Sequence, residues 1–189
     1  MIRTISLVGM PGSGKSSVGR QLARRLRLPF ADSDAVIEQR VGESVRSFFE
    51  REGEDRFREL ETIVLRELLT HDHGVIATGG GAVLRPENRE VLQARSTVVY
   101  LRSTPDELFR RLRHDTQRPL LQVDNPREKL RELFTRRDPL YREAAHFIIE
   151  TTRPTVQSLV GFILMQLELA GLVDPSHAPS PVDPSSHAG

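Results

Sequence analysis

Residues 9–16 read GMPGSGKS, a G-x-x-x-x-G-K-S run whose glycines let the backbone curl until its N–H groups face inward. Such a loop cradles phosphate when it joins a strand to a helix, because the helix N-terminus adds its partial positive charge. The flanking residues meet that condition. TISLVG at 4–9 is short, apolar and β-branched, as suits a strand buried on both faces. After Ser16, Val18, Leu22 and Leu26 recur at four-residue intervals and mark one face of a helix. Of 27 basic residues only Lys15 and Lys129 are lysines. A chain that otherwise uses arginine thus has a compact ammonium where a phosphate loop needs one.

Four further runs have strand character: PFAD at 29–32, GVIATG at 74–79, TVVYLR at 97–102 and HFIIET at 146–151. Helical patterns separate them, and strands alternating with helices predict an α/β fold with a parallel sheet. Helix starts are well signed at Thr104-Pro105-Asp106-Glu107 and at Asn125-Pro126-Arg127-Glu128. Between those helices RHDTQRPLLQVDN, at 113–125, is polar and aperiodic and reads as a mobile loop. A last helix is expected from about Pro154, with Val156, Leu159, Val160, Ile163 and Leu167 on one face and Gly171 as its stop. Beyond Val173 the chain is dominated by Pro, Ser and Ala, so residues 174–189 are expected to form a disordered tail after one domain spanning 1–173.

Composition narrows the function. With no cysteine, thiolate metal sites, disulfides and thiol nucleophiles are excluded, and the cytoplasm is the expected compartment. The balance of 27 basic against 26 acidic residues gives no long-range field of the kind nucleic-acid binders use, so a small-molecule partner is expected. The N-terminal residues do not form a secretory signal, and the apolar run near 158–173 carries Gln166 and Glu168 and is too short to span a bilayer. The His71-Asp72-His73 trio reads as a loop between helix and strand rather than as a metal site.

The acceptor of the phosphate must come from the remaining motifs. PFAD ends in Asp32 and Asp34 follows; two residues apart in an extended stretch, their carboxylates would point into one space, while the plainer role for the DSD run is a helix N-cap before AVIEQRV. The run GGGAV at 79–83 follows a strand directly. Three glycines carry an entropic cost, which suggests a place where the backbone must approach something closely. Arg58 in FRELE, Arg118 in QRPLL and Arg137 in RRDPLY stand out only through their company.

Taken together and in this order, GMPGSGKSS, DSD, FRELE, GGGAV, RPLL and RDPLY resemble the shikimate kinase family over about residues 3–170. The resemblance implies a P-loop fold like that of nucleoside monophosphate kinases: a five-stranded parallel sheet flanked by helices, a substrate-binding helical region at about 33–61 and a lid at about 113–125. It implies ATP held by Gly12, Ser13, Gly14, Lys15, Ser16 and Ser17, and Mg²⁺ on Ser16 and, directly or through water, Asp32. Shikimate would be held by Asp34 at its hydroxyls and by Arg58, Arg137 and the Gly80 backbone, with Phe49 and Phe57 lining the pocket. Arg118 would meet the transferring group, and Arg111 with Pro154 would flank the adenine. A monomer phosphorylating the 3-hydroxyl of shikimate is the expectation. The runner-up, a gluconate kinase of the same fold, fits the GGGAV and RDPLY combination less well.

The physics agrees with these roles. Two arginines facing one carboxylate give planar, charge-assisted recognition. Phosphoryl transfer through a loose transition state needs positioning and positive charge, for which Lys15 and Arg118 are placed, and Asp34 can orient the acceptor hydroxyl and take its proton.

Overall fold

The computed structural model describes residues 3–71, 74–113, 123–153 and 155–174. Five strands form one parallel sheet in the order β2-β3-β1-β4-β5: β1 (Ile5–Val8), β2 (Phe30–Asp32), β3 (Val75–Ala77), β4 (Thr97–Arg102) and β5 (Phe147–Glu150). Each lies inside one of the five runs expected to be strands. In β1 and β4 alternate side chains enter opposite cores, Leu7, Val99 and Leu101 on one face and Val8, Val98 and Tyr100 on the other. Helices cover both faces, which is why these two strands carry apolar side chains on both.

On the first face α1 (Lys15–Leu26) packs beside α8 (Val156–Leu169). The periodic residues Val18, Leu22 and Leu26 meet Leu159, Val160, Ile163 and Leu167 there, each burial stabilising by about 1.5–3 kcal/mol. On the second face α5 (Pro86–Arg95), α6 (Pro105–Leu112) and α7 (Pro126–Ala144) contribute Leu92, Leu108, Leu130 and Tyr141. A third, smaller cluster joins Ile37 of α2 (Ser33–Val41), Phe48 of α3 (Val45–Glu52) and Phe57 and Val64 of α4 (Glu54–Leu68). The expected substrate region at 33–61 falls on these three helices. The lid expected at 113–125 falls mostly outside the described residues.

Local signals set the helix ends. Thr104 and Glu107 form the reciprocal capping box expected for α6, and Asn125 accepts from the Glu128 N–H at the start of α7. Gly171, at φ 70, turns the chain after α8, and the Leu172 N–H returns to the Leu167 carbonyl.

Sheet order places the site. From β1 the chain goes out to β2 and returns through β3, then continues on the far side of β1 to β4 and β5. Direction reverses at β1, and in parallel sheets ligands bind beyond the carboxyl ends at such a reversal. The G-K-S loop leaves β1 at this point.

Candidate active site

Beyond the ends of β1, β2 and β3 lies a cavity of about 540 Å³ lined by loop residues Pro11, Gly12, Gly14, Lys15, Ser16 and Ser17, by Asp32 and Asp34, and by Thr78, Gly79, Gly80, Arg111 and Leu112. Gly14, at φ 92, opens α1 with no side-chain cap, so the positive end of the helix dipole faces this space. The buried Lys15 ammonium donates to the carbonyls of Gly9 at 2.8 Å and Met10 at 2.9 Å. Ser13 turns away from the cavity, its hydroxyl buried against Gly9.

The DSD run serves both of the purposes weighed for it. Asp32 Oδ1 caps α2, accepting from the N–H groups of Asp34 at 3.0 Å and Ala35 at 3.3 Å, while Oδ2 accepts from the Ser16 hydroxyl. The geometry differs from the expectation, because α2 begins at Ser33 and Asp34 lies in its first turn. The two carboxylates converge through a strand-to-helix turn, not through extended backbone. Ser33 fastens that turn to the glycine run, its hydroxyl accepting from the Gly79 N–H at 3.1 Å.

The three glycines at 79–81 are explained by space. A Cβ on Gly79 would stand 2.8 Å from Asp34 Oδ1 and 2.9 Å from Glu61 Oε2; one on Gly80 would meet the Pro11 ring at 2.7 Å; one on Gly81 would collide with the Arg58 guanidinium. The backbone is bare so that functional groups can lie against it.

Arg58, on α4, pairs with Glu61 one helical turn later at 2.7 Å, and its guanidinium lies 5.2 Å from the Phe57 ring centroid. Glu61 is 1 % exposed. Burial raises its proton affinity, and the charges of Arg58 and Arg137 pull the other way. Asp34 is pushed up to about 6 by burial first and then by the carboxylates of Glu61 and Asp32, against the pull of Lys15. Its Oδ1 is sealed from solvent without a hydrogen-bond partner among the described residues, and so is Glu61 Oε2.

Arg137 reaches this cluster from α7, and Tyr141 on the same helix donates to the Gly80 carbonyl at 2.6 Å. At the other end of the cavity Arg111 donates to Ser103 Oγ and to the Thr151 carbonyl, both at 3.2 Å. Phe57 is buried and Phe49 packs against it with the rings tilted at 53° and centroids 5.7 Å apart, both in the α2–α4 core.

The structure therefore brings Gly12, Gly14, Lys15, Ser16, Ser17, Asp32, Asp34, Gly80 and Arg111 to one cavity wall. Arg58, Arg137, Phe49 and Phe57 are not among its lining residues. Arg118 and Pro154 lie outside the described residues. Glu61, Ser33, Thr78 and Tyr141 are site features to which sequence reading assigned no role. For Glu61 the available signal was its i, i+3 spacing from Arg58 within FRELE. Among the described residues no group of three or more His, Asp or Glu is arranged to hold a metal.

A model of the family described as shikimate kinase matches residues 11–168. Curated shikimate kinases from Paracidovorax citrulli and Ralstonia nicotianae are 60 % and 57 % identical, over 92 % and 95 % of this chain and 96 % and 95 % of their own. A solved shikimate kinase from Acinetobacter baumannii, in complex with shikimate, is 46 % identical at a TM-score of 0.86 and covers 92 % of this chain and 97 % of its own. With its residues gathered around one phosphate-loop cavity, a family model matching residues 11–168 and a relative 60 % identical over 92 % of its length, the chain belongs to the shikimate kinase family.

Proposed function

We propose that this chain transfers the γ-phosphoryl group of ATP to the 3-hydroxyl of shikimate. The observation that carries the reading is Asp34: a carboxylate on the wall of the cavity that holds the phosphate loop, with its Oδ1 buried against the glycine run. The names of the relatives and the shikimate in the solved one support the choice of acceptor. In this reading residues 1–173 are one kinase domain, with the substrate region at about 33–61 and the lid at about 113–125. It works as a monomer in the cytoplasm, without nucleic acid or membrane as partner. No helix among the described residues is long and apolar enough to cross a membrane.

Residues 12–17 and Lys15 hold the phosphates, Arg118 adds positive charge at the transferring group, and Arg111 with Pro154 flanks the adenine. The Ser16 hydroxyl and the Asp32 carboxylate, hard oxygens already joined by a hydrogen bond, fit Mg²⁺, which when bound offsets phosphate charge. Asp34 orients the acceptor hydroxyl, whose oxygen forms the new bond to phosphorus as the bond to the ADP oxygen breaks, and takes the released proton. Arg58 and Arg137 grip the acceptor carboxylate, with Phe49 and Phe57 behind them.

ADP release measured in parallel with shikimate, gluconate and nucleoside monophosphates tests the reading; turnover should appear with shikimate alone. Arg58→Lys should raise the KM for shikimate and leave the KM for ATP unchanged, because lysine lacks the planar two-point fork. If wild type phosphorylates a neutral carboxamide analogue as well as the acid, the assignment of a carboxylate acceptor is wrong.

A further inference from the structure

Tyr141 is fully buried on α7, four residues after Arg137 and thus on the same face of the helix. Packing alone asks only for its ring, which stacks on Tyr100 with centroids 4.9 Å apart. Phenylalanine would fill the same volume, whereas a buried hydroxyl must find partners. The partners here are parts of the acceptor side. The hydroxyl donates to the Gly80 carbonyl at 2.6 Å, and the Arg137 guanidinium lies beside the hydroxyl itself, its charge favouring the phenol oxygen as an acceptor. Burial pushes the phenol up to about 12, so it remains a neutral donor throughout the working range of pH.

The bond to Gly80 reaches further than one atom. The 80–81 peptide is planar, so holding its oxygen holds the whole unit that runs into Gly81. Against the bare face of Gly81 lies the Arg58 guanidinium. One hydroxyl therefore links the helix that carries Arg137 to the surface on which Arg58 rests. On the other side of the Tyr100 ring, that residue's hydroxyl donates to Asp138 at 2.7 Å, which holds the ring pair in place without touching the glycine run.

We propose that Tyr141 is a positioning residue for the acceptor: by tying α7 to the glycine run it sets the spacing of Arg137 and Arg58, and with it the fit to a small, rigid carboxylate. This rests on the reading that both arginines grip that carboxylate.

Tyr141→Phe, Arg137→Lys, the double variant and Tyr100→Phe, compared by steady-state kinetics and thermal unfolding, test it. Tyr141→Phe should raise the KM for shikimate about tenfold, leave kcat and the KM for ATP within about twofold, and lower Tm by only a few degrees. Combined with Arg137→Lys, the two effects should multiply to less than their product, because the first already loosens what the second removes. Tyr100→Phe also deletes a buried hydroxyl and should leave the KM for shikimate within about twofold.

If Arg137→Lys does not alter the KM for shikimate, the reading of Arg137 as a grip fails and the premise falls with it. If Arg137→Lys raises that KM but Tyr141→Phe does not, positioning by Tyr141 alone is wrong. Parallel rises in both KM values, an equal effect from Tyr100→Phe, or full multiplication in the double variant would each reduce Tyr141 to ordinary core packing and overturn the proposal.

Discussion

Asp34 sets folding against chemistry. Its proton affinity is raised to about 6 by burial, with Glu61 and Asp32 adding to it, so the fold favours the protonated acid over the charged one. A carboxyl raised in the folded state contributes stability that is present below its unfolded value and is lost as pH rises through the folded one. Asp34→Asn should therefore stabilise the nucleotide-free, metal-free protein by about 2 kcal/mol at pH 8 and by much less at pH 4.5. Thermal melts of both proteins across this range check it; a difference independent of pH contradicts the assignment. The same variant should lose about 10²- to 10⁴-fold in turnover while still binding shikimate. Glu61 shows why the acceptor side was only partly legible. An Arg and a Glu three residues apart on a helix are ordinarily a solvated pair, and only the packing of α4 against the glycine run makes this one a buried pair.

The glycine run and the end of α1 show what short elements decide. GGGAV announced close approach, and the structure supplies the approaching groups: Asp34 and Glu61 at Gly79, Pro11 at Gly80, Arg58 at Gly81. Gly81→Ala should displace the Arg58 guanidinium and raise the KM for shikimate about tenfold or more with little change in that for ATP; equal effects on both substrates would mean that the whole cavity has shifted. At the C-cap of α1, Arg27 is held at φ 56, the only described residue other than glycine with positive φ. Arg27→Gly should relieve that strain and stabilise by up to about 1 kcal/mol, read as a higher Tm at unchanged activity. The conformation follows from the Leu28 N–H returning to the Ala23 carbonyl, a closure for which arginine carries no local signal. The DSD run teaches the converse. Its convergence was foreseen, yet through extended backbone, because the point where a strand yields to a helix depends on which N–H groups Asp32 captures.

For the molecule as a whole, the α1/α8 core reaches as far as Val173, which is 5 % exposed. A chain ended after Val173 should keep the Tm and turnover of the full chain, since residues 174–189 offer little to bury. A chain ended after Leu169 loses Leu172 and Val173 from that core and should melt several degrees lower; equal melting of the two would show that this apolar corner contributes nothing. The five strands, the helices between them and the phosphate loop could all be read along the chain, because period, caps and turn chemistry are written within about ten neighbouring residues. The acceptor side could be named only by resemblance. Asp34 on α2, Arg58 on α4, Gly79 to Gly81 after β3, and Arg137 with Tyr141 on α7 come from four separate stretches, and which of them meet depends on the 2-3-1-4-5 strand order and on how α4 and α7 pack against the end of β3. Burial, which turns Glu61 from a surface charge into a core one and lifts Asp34 toward neutral pH, belongs to that packing, since desolvation is a property of everything surrounding a group and of no stretch of chain alone.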